Sequence, residues 1–361
     1  MADMQVAQSE RSVKPLQIAS KVRILLCPFR RGKMGDISVI IPVYNGAKTI
    51  ERALASLISN KNNIAEIIVV DDYCDDNTVD LVRQYYKVFQ NLRIVRSNGF
   101  HNPGLARKTG MINASGKWIT FLDADDCLTA SSLRYVSNKL SDDTFLLCCK
   151  TIYYESGNFD ANTIEYSDTS CGGNFYNRDF MIKNNIYPDD ELRLVEDEYF
   201  NEKTIKLIES FGGEIEHYDY PVYEVHHDIG DGFSYALSNW VDYLCKYRLL
   251  YKQRLVDDLY DVVDNHELKT EYINNIIFCY FLAEGLMLDK DVTFSFDENK
   301  KYFNQAIKYY ETKFNDIYYS IIFYFEKHEE LVESIWQSAI ESIGFEFDDY
   351  LNFRRFIKDC L

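Results

Sequence analysis

The chain has 361 residues, 47% hydrophobic and 27% charged, with a formal net charge of -18. That is enough for a packed core in one large or two ordinary domains, and the acidity excludes bulk attraction for nucleic acid. No apolar run reaches the roughly 20 residues that span a bilayer. Nine cysteines without a C-x-x-C pair, and six histidines without zinc-finger spacing, read as reduced thiols in a cytoplasmic protein.

Taken in chain order, residues 1–35 concentrate basic side chains (Arg11, Lys14, Lys21, Arg23, Arg30, Arg31 and Lys33, against Asp3 and Glu10) and read as a flexible leader. Contact with anionic lipid at the inner face of the cell membrane is the alternative. From Asp36 the pattern sharpens. Ile37–Ile41 is a buried strand stopped by Pro42, and Thr49–Ser59 has helical apolar spacing. Ile64–Val70 is a second strand, ending at Asp71 and Asp72. A helix over Thr78–Phe89, a strand over Leu92–Val95, a helix over Gly104–Ala114 and a strand over Trp118–Leu122 follow. Strands alternating with helices predict βαβ units and a mostly parallel sheet, with ligands beyond the carboxyl ends of the strands.

Those ends carry Tyr44-Asn45, Asp71-Asp72 and Asp123–Asp126. In the last, Asp123 and Asp125 fall on one face of an extended chain, and three acids in four residues repel one another unless a cation or solvent relieves them. Oxygen donors of this kind suit Mg2+ or Mn2+ shared with a substrate phosphate. The bland alternative is an acidic loop capping the next helix.

Farther along, short β-like runs fill residues 145–170, and Gly172–Asn174 is a turn. Asp179–Asn185 reads as a helix, Asp189–Glu198 as an acidic stretch, Tyr199–Phe211 as a helix stopped by Gly212-Gly213, and Ile215–Val225 as β. Beyond about Tyr235 long helical runs rich in Leu, Ile, Tyr and Phe predict a separate helical domain over 236–361. Acceptor binding, dimerisation and covering of a cleft all remain open for it.

Five elements occur in order within 36–130: Asp36-Ile-Ser-Val-Ile-Ile-Pro-Val-Tyr-Asn45; Val69-Val-Asp-Asp72 with Asp76-Asn-Thr78; Gly104-Leu-Ala-Arg107; Ala114-Ser-Gly116; and Phe121-Leu-Asp-Ala-Asp-Asp126. This order resembles the family 2 glycosyltransferases of GT-A fold. The resemblance implies an α/β catalytic domain over 36–235, a UDP-sugar donor, a divalent cation (Mn2+ or Mg2+), inversion at the anomeric carbon and a glycan or glycolipid acceptor. It suggests capsule, lipopolysaccharide or protein-glycan assembly. By the same resemblance Pro42, Val43, Tyr44 and Asn45 wrap the nucleobase, and Asp71 or Asp72 holds uracil and ribose. Arg107 lies behind the donor, Asp123 and Ala124 contact ribose or sugar, and Asp125 binds the metal as the second acid of a DxD motif. Asp197, with Glu196 as runner-up, resembles the catalytic base. His226, with His227 as alternative, resembles a histidine that approaches the metal or diphosphate. Tyr73-Cys74, Lys108 and Glu224 stand where the family usually has Gly-Ser, Asn and Arg.

Two other functions compete. A sugar nucleotidyltransferase is disfavoured by the single glycine, Gly46, after the first strand, where a phosphate-binding loop needs several. A non-catalytic carbohydrate-binding or scaffolding protein on a transferase fold is disfavoured by the presence of Asp123, Asp125 and Asp197.

Overall fold

The structure is a computed structural model that describes residues 35–154, 163–166, 170–226, 240–264, 268, 271–272, 275–276 and 296–314. The leader, His227 and most of the expected helical domain lie outside the described residues.

Four strands, β1 (Ile37–Val43), β2 (Ile64–Asp71), β3 (Leu92–Arg96) and β4 (Trp118–Phe121), pair in parallel in the order β3-β2-β1-β4. Their register aligns Val43 with Asp71 and Asp71 with Arg96, so their carboxyl ends finish at one edge. The connecting helices are α1 (Ile50–Ser56), α2 (Thr78–Gln84) and α3 (Pro103–Asn113). Alternation within these buried runs sorts the core. Val39, Ile41, Ile67 and Val69 join Leu54 and Val82 on one face, whereas Ile40, Ile68 and Val70 meet Ala106 and Met111 of α3 on the other.

The second half makes the sheet mixed. It contains β5 (Cys127–Leu128), α4 (Ser132–Ser137), β6 (Leu146–Tyr154), β7 (Thr163–Tyr166), β8 (Asn174–Asn177), α5 (Arg178–Lys183), α6 (Glu196–Ser210) and β9 (Glu216–His226). The sheet continues from β4 through β8, β6 and β9 to β5, with β7 on β6, and β8 runs antiparallel to β4. Among the expectations, β5 and α4 were not foreseen, and α6 begins at Glu196 rather than Tyr199. Glu196, Asp197 and Glu198, the last three acids of the acidic stretch, occupy the first turn of α6, where the helix dipole favours negative charge.

Helices α7 (Trp240–Leu259) and α8 (Phe296–Phe314) follow. Tyr247, Tyr251, Leu255 and Leu259 recur at every fourth position of α7 and are buried in one cluster with Phe200, Leu207 and Ile208 of α6 and Phe303 and Ile307 of α8. Helices α7 and α8 thus share the core on the α3–α6 face of the sheet. Phe121, Tyr176 and Phe200 pack at its centre with ring centroids 5.1–6.0 Å apart, and full burial of such a ring contributes about 1.5–3 kcal/mol.

Candidate functional site

The loop after β1 and the loop after β2 are knitted together by their own polar groups. Asn45 Oδ1 accepts from the backbone N–H of Asp75 at 2.9 Å, the Asn45 N–H donates to Cys74 Sγ at 3.3 Å, and Asp76 Oδ2 accepts from Ala47 N at 3.1 Å. Asp76 Oδ1 also accepts from Thr78 N, and against the cost of burial these bonds hold the Asp76 carboxyl below the usual range. Asp71 turns away from the cleft: it accepts from Cys74 N at 2.8 Å and is ion-paired with Arg96. Asp72 is 3% exposed, and its Oδ2 accepts from Asn102 N at 2.7 Å while its buried Oδ1 has no hydrogen-bond partner. Burial pushes its carboxyl above the usual value.

Asn102 sets the start of α3. Its side chain accepts from Leu105 N at 2.9 Å and Pro103 follows at the first turn, a combination that caps an N-terminus. The capped helix delivers Arg107 to the middle of the site, buried, with Nη1 donating to Glu196 Oε1 at 2.6 Å and Nη2 to Asp123 Oδ1 at 2.8 Å. Gly104 permits this approach, because a Cβ there would strike the backbone oxygen of Asp189 and crowd Glu196.

The acidic turn after β4 divides its three carboxylates. Asp126 is buried, with Oδ2 accepting from the Tyr223 hydroxyl at 2.8 Å and Oδ1 from His226 N at 3.0 Å. The same Tyr223 oxygen accepts from Asp123 N at 3.0 Å, and a Cβ on Gly172 would collide with the Tyr223 ring. Asp126 therefore shapes the turn, while Asp123 and Asp125 line the cleft.

At the start of α6, Val195 adopts φ +58°, a left-handed conformation that is costly for a β-branched residue. Asn45 (φ +50°) and His101 (φ +49°) share this backbone region and also line the cleft; Tyr73, Ser131 and Asn185 share it elsewhere. Glu196 is buried and held by Arg107. Burial first, and then adjacent Asp197, raise its carboxyl to about 7 against the pull of Arg107. Asp197 is half-buried, lines the cleft and accepts from Glu198 N at 2.9 Å; burial raises its carboxyl too, partly opposed by Arg107.

These segments enclose a cleft of about 630 Å³. Of the residues expected at the site, Pro42, Val43, Tyr44, Asn45, Asp72, Arg107, Asp123, Ala124, Asp125, Glu196 and Asp197 line it together. Asp71 and His226 are not among its lining residues. His226 instead stacks on Tyr154 at 5.0 Å, with Nε2 3.5 Å from Glu224 Oε2. Lys48, Asp76, His101 and Arg193 line the cleft without having been singled out as contacts. Asp76 lay within a quoted motif, but nothing in the sequence marks His101, whose ring packs against that of Tyr44, tilted by 40° with centroids 3.9 Å apart. Carboxylate oxygens from Asp123 and Asp125 are hard donors at one wall, and that donor set fits Mg2+ or Mn2+.

Residues 38–188 match the family described as glycosyl transferase family 2. The succinoglycan biosynthesis protein ExoO of Rhizobium meliloti is 34% identical over 102 residues, which are 28% of this chain and 29% of that protein. A poly(ribitol-phosphate) beta-glucosyltransferase of Bacillus spizizenii is 35% identical over 100 residues, 27% of this chain and 16% of that protein. The matched segment spans less than a third of the length of either relative. In fold, the chain is similar to S. aureus TarS 1-349 crystallised with UDP-GlcNAc, with a TM-score of 0.59 and 21% identity over 75% of this chain and 81% of that one. Among the described residues no helix is long and apolar enough to cross a membrane.

Proposed function

Residues 38–188 belong to glycosyl transferase family 2 on a GT-A fold, and from that premise we propose that the chain transfers a sugar from a UDP-sugar to a hydroxyl of a growing glycan, with inversion. One observation carries the reading. Carboxylates from two distant segments, Asp123 and Asp125 after β4 and Asp197 on α6, line the same cleft as the strand-end loops Pro42–Asn45 and Asp72.

In this reading Tyr44 offers a ring face to the nucleobase, and Asp72 offers a buried acceptor oxygen beside it. Asp71 acts from behind, fixing the loop through Cys74 and Arg96. Asp123, steadied by Arg107, meets the ribose or sugar. Lys48 and Arg193 bring positive charge to the diphosphate. A divalent cation held by carboxylate oxygens of Asp125 and Asp123 would supply further neutralisation of the leaving diphosphate.

Asp197 is the better base of the acidic pair. Glu196 is buried and engaged by Arg107, whereas Asp197 borders the cleft. Asp197 takes the proton of the acceptor hydroxyl as its oxygen attacks the anomeric carbon, and the bond to the diphosphate oxygen breaks on the opposite face, inverting the centre. A carboxyl raised by burial is a stronger base than an ordinary aspartate. A glycan acceptor is in keeping with relatives named for succinoglycan and poly(ribitol-phosphate).

The test is a panel of UDP-sugars with Mn2+, read as UDP release and as thermal stabilisation of the purified protein. At least one donor should be hydrolysed and should raise Tm; Asp125→Ala should abolish turnover and Asp197→Asn should lower it by at least about 10²-fold, each with the fold intact. A panel without hydrolysis or stabilisation refutes the transferase reading, and full turnover by either variant refutes that residue's role.

A further inference from the structure

We propose that Cys127, Glu224 and His226 form a second cation site, of Zn2+ type, on the β5–β9 strand pair, distinct from the cleft. None of the three is among the residues that line the cleft.

The backbone brings them together. In the antiparallel β5–β9 pair Cys127 stands directly opposite Glu224, so their side chains leave the sheet on the same face. His226 lies two residues beyond Glu224 on β9 and returns to that face. Their donor atoms, one thiol sulfur, one carboxylate oxygen and one imidazole nitrogen, all fall within 4.8 Å of one another. Cys127 is a thiol and not half of a disulfide.

The histidine is held in position for this role. Its ring stacks on Tyr154, its register partner on β6, at 5.0 Å and 15°. Its backbone N–H donates to Asp126 Oδ1. Its Nε2 is buried yet makes no hydrogen bond, and Glu224 Oε2 lies 3.5 Å away. A buried polar nitrogen without a hydrogen bond is a cost that a coordinated cation removes.

The donor set selects the ion. Thiolate, imidazole and carboxylate together suit borderline-soft Zn2+, whereas Mg2+ and Mn2+ prefer oxygen alone. Tetrahedral Zn2+ with bonds of about 2.0–2.3 Å needs donors about 3.3–3.8 Å apart, so the three must close only slightly. Glu224 and His226 are each about a quarter exposed, which leaves an entry path and room for water as the fourth ligand. Bound there, the ion ties the two-residue β5 to β9. It thereby braces the turn of Asp123–Asp126 from the strand that follows it.

The experiment uses the full chain carrying Asp125→Asn, stripped with chelator and titrated with Co2+ as a spectroscopic stand-in for Zn2+. One equivalent should produce a near-ultraviolet thiolate-to-cobalt charge-transfer band, and Zn2+ should displace it and raise Tm. Cys127→Ser should remove the band. Glu224→Gln, which keeps the thiol, should weaken binding at least tenfold and decides the matter if the serine variant does not fold. A folded protein without the band, which would leave Glu224 and His226 a simple ion pair, overturns the proposal. So does a band that survives Cys127→Ser, or unchanged affinity in Glu224→Gln.

Discussion

The turn after β4 and the first turn of α6 solve the same problem in the same way. Each carries neighbouring acids of which one is buried in a fixed bonding pattern and another faces the cleft. Asp126 is fastened by Tyr223 and His226, beside cleft-lining Asp125. Glu196 is fastened by Arg107, beside cleft-lining Asp197. The difference lies in the fastening. The Asp126 side uses a neutral hydroxyl and a backbone N–H, whereas the Glu196 side uses a buried guanidinium that also holds Asp123. Adjacent acids in a sequence are therefore not redundant copies of one function: one shapes the backbone from which the other works.

The sharpest way to break this comparison is to exchange the roles. Asp197→Asn removes the proposed base and should lower kcat by about 10²–10⁴-fold, with little change in Tm, in a UDP-release assay. Glu196→Gln should cost far less activity. Equal losses from the two would erase the distinction at α6. Next in size is Arg107→Met, which strands Glu196 and Asp123 without their shared cation. Removing one partner of a buried ion pair costs about 3–5 kcal/mol, and denaturant unfolding should read a loss of that order. A loss under about 1 kcal/mol would mean that Arg107 does not fasten the pair. Smaller again is Tyr223→Phe, which deprives Asp126 of a donor and Asp123 N of an acceptor. About 1–3 kcal/mol should be lost, and because Asp123 sits on the same turn, KM for the donor should rise more than kcat falls.

The fastened members explain what could be seen in the sequence and what could not. The apolar runs Ile37–Ile41 and Ile64–Val70, each closed by polar residues, made β1 and β2 legible, and the alternation of strands with helices placed the site at their carboxyl ends. Asp123 and Asp125 were legible as cleft residues through ordered motifs, and Asp197 through a shorter, separate resemblance. The split between Asp125 and Asp126 was not, because it depends on Tyr223, which is distant in sequence and positioned by β9. The two-residue β5 has no periodicity to detect. Acids at 196–198 read as the end of an acidic stretch, with the helix starting only at Tyr199, until α6 is seen to begin at Glu196. The left-handed Val195 runs against the preference of its own side chain, so local propensity argues against the conformation that starts α6. His101 and Arg193 reach the cleft by tertiary geometry alone.

The finest test of the comparison is the pH dependence of transfer. Asp197 must be ionised to accept a proton, and burial raises its carboxyl above the ordinary 3.8. Turnover should therefore fall as pH drops through a value above that one. Glu196 is raised to about 7 by burial and by the charge of Asp197, so as pH falls it takes up its proton while Asp197 is still ionised. Glu196 is then already neutral where Asp197 titrates, and Arg107 favours the ionised form of Asp197. Glu196→Gln removes no charge at that point, so the acid limb of kcat against pH should stay in place. In Asp197→Asn no residual activity should carry that limb. A limb that moves to lower pH in Glu196→Gln would mean that Glu196 is still ionised where Asp197 takes up its proton, which reverses the order of the pair. One that moves to higher pH would mean that Glu196 aids ionisation of its neighbour.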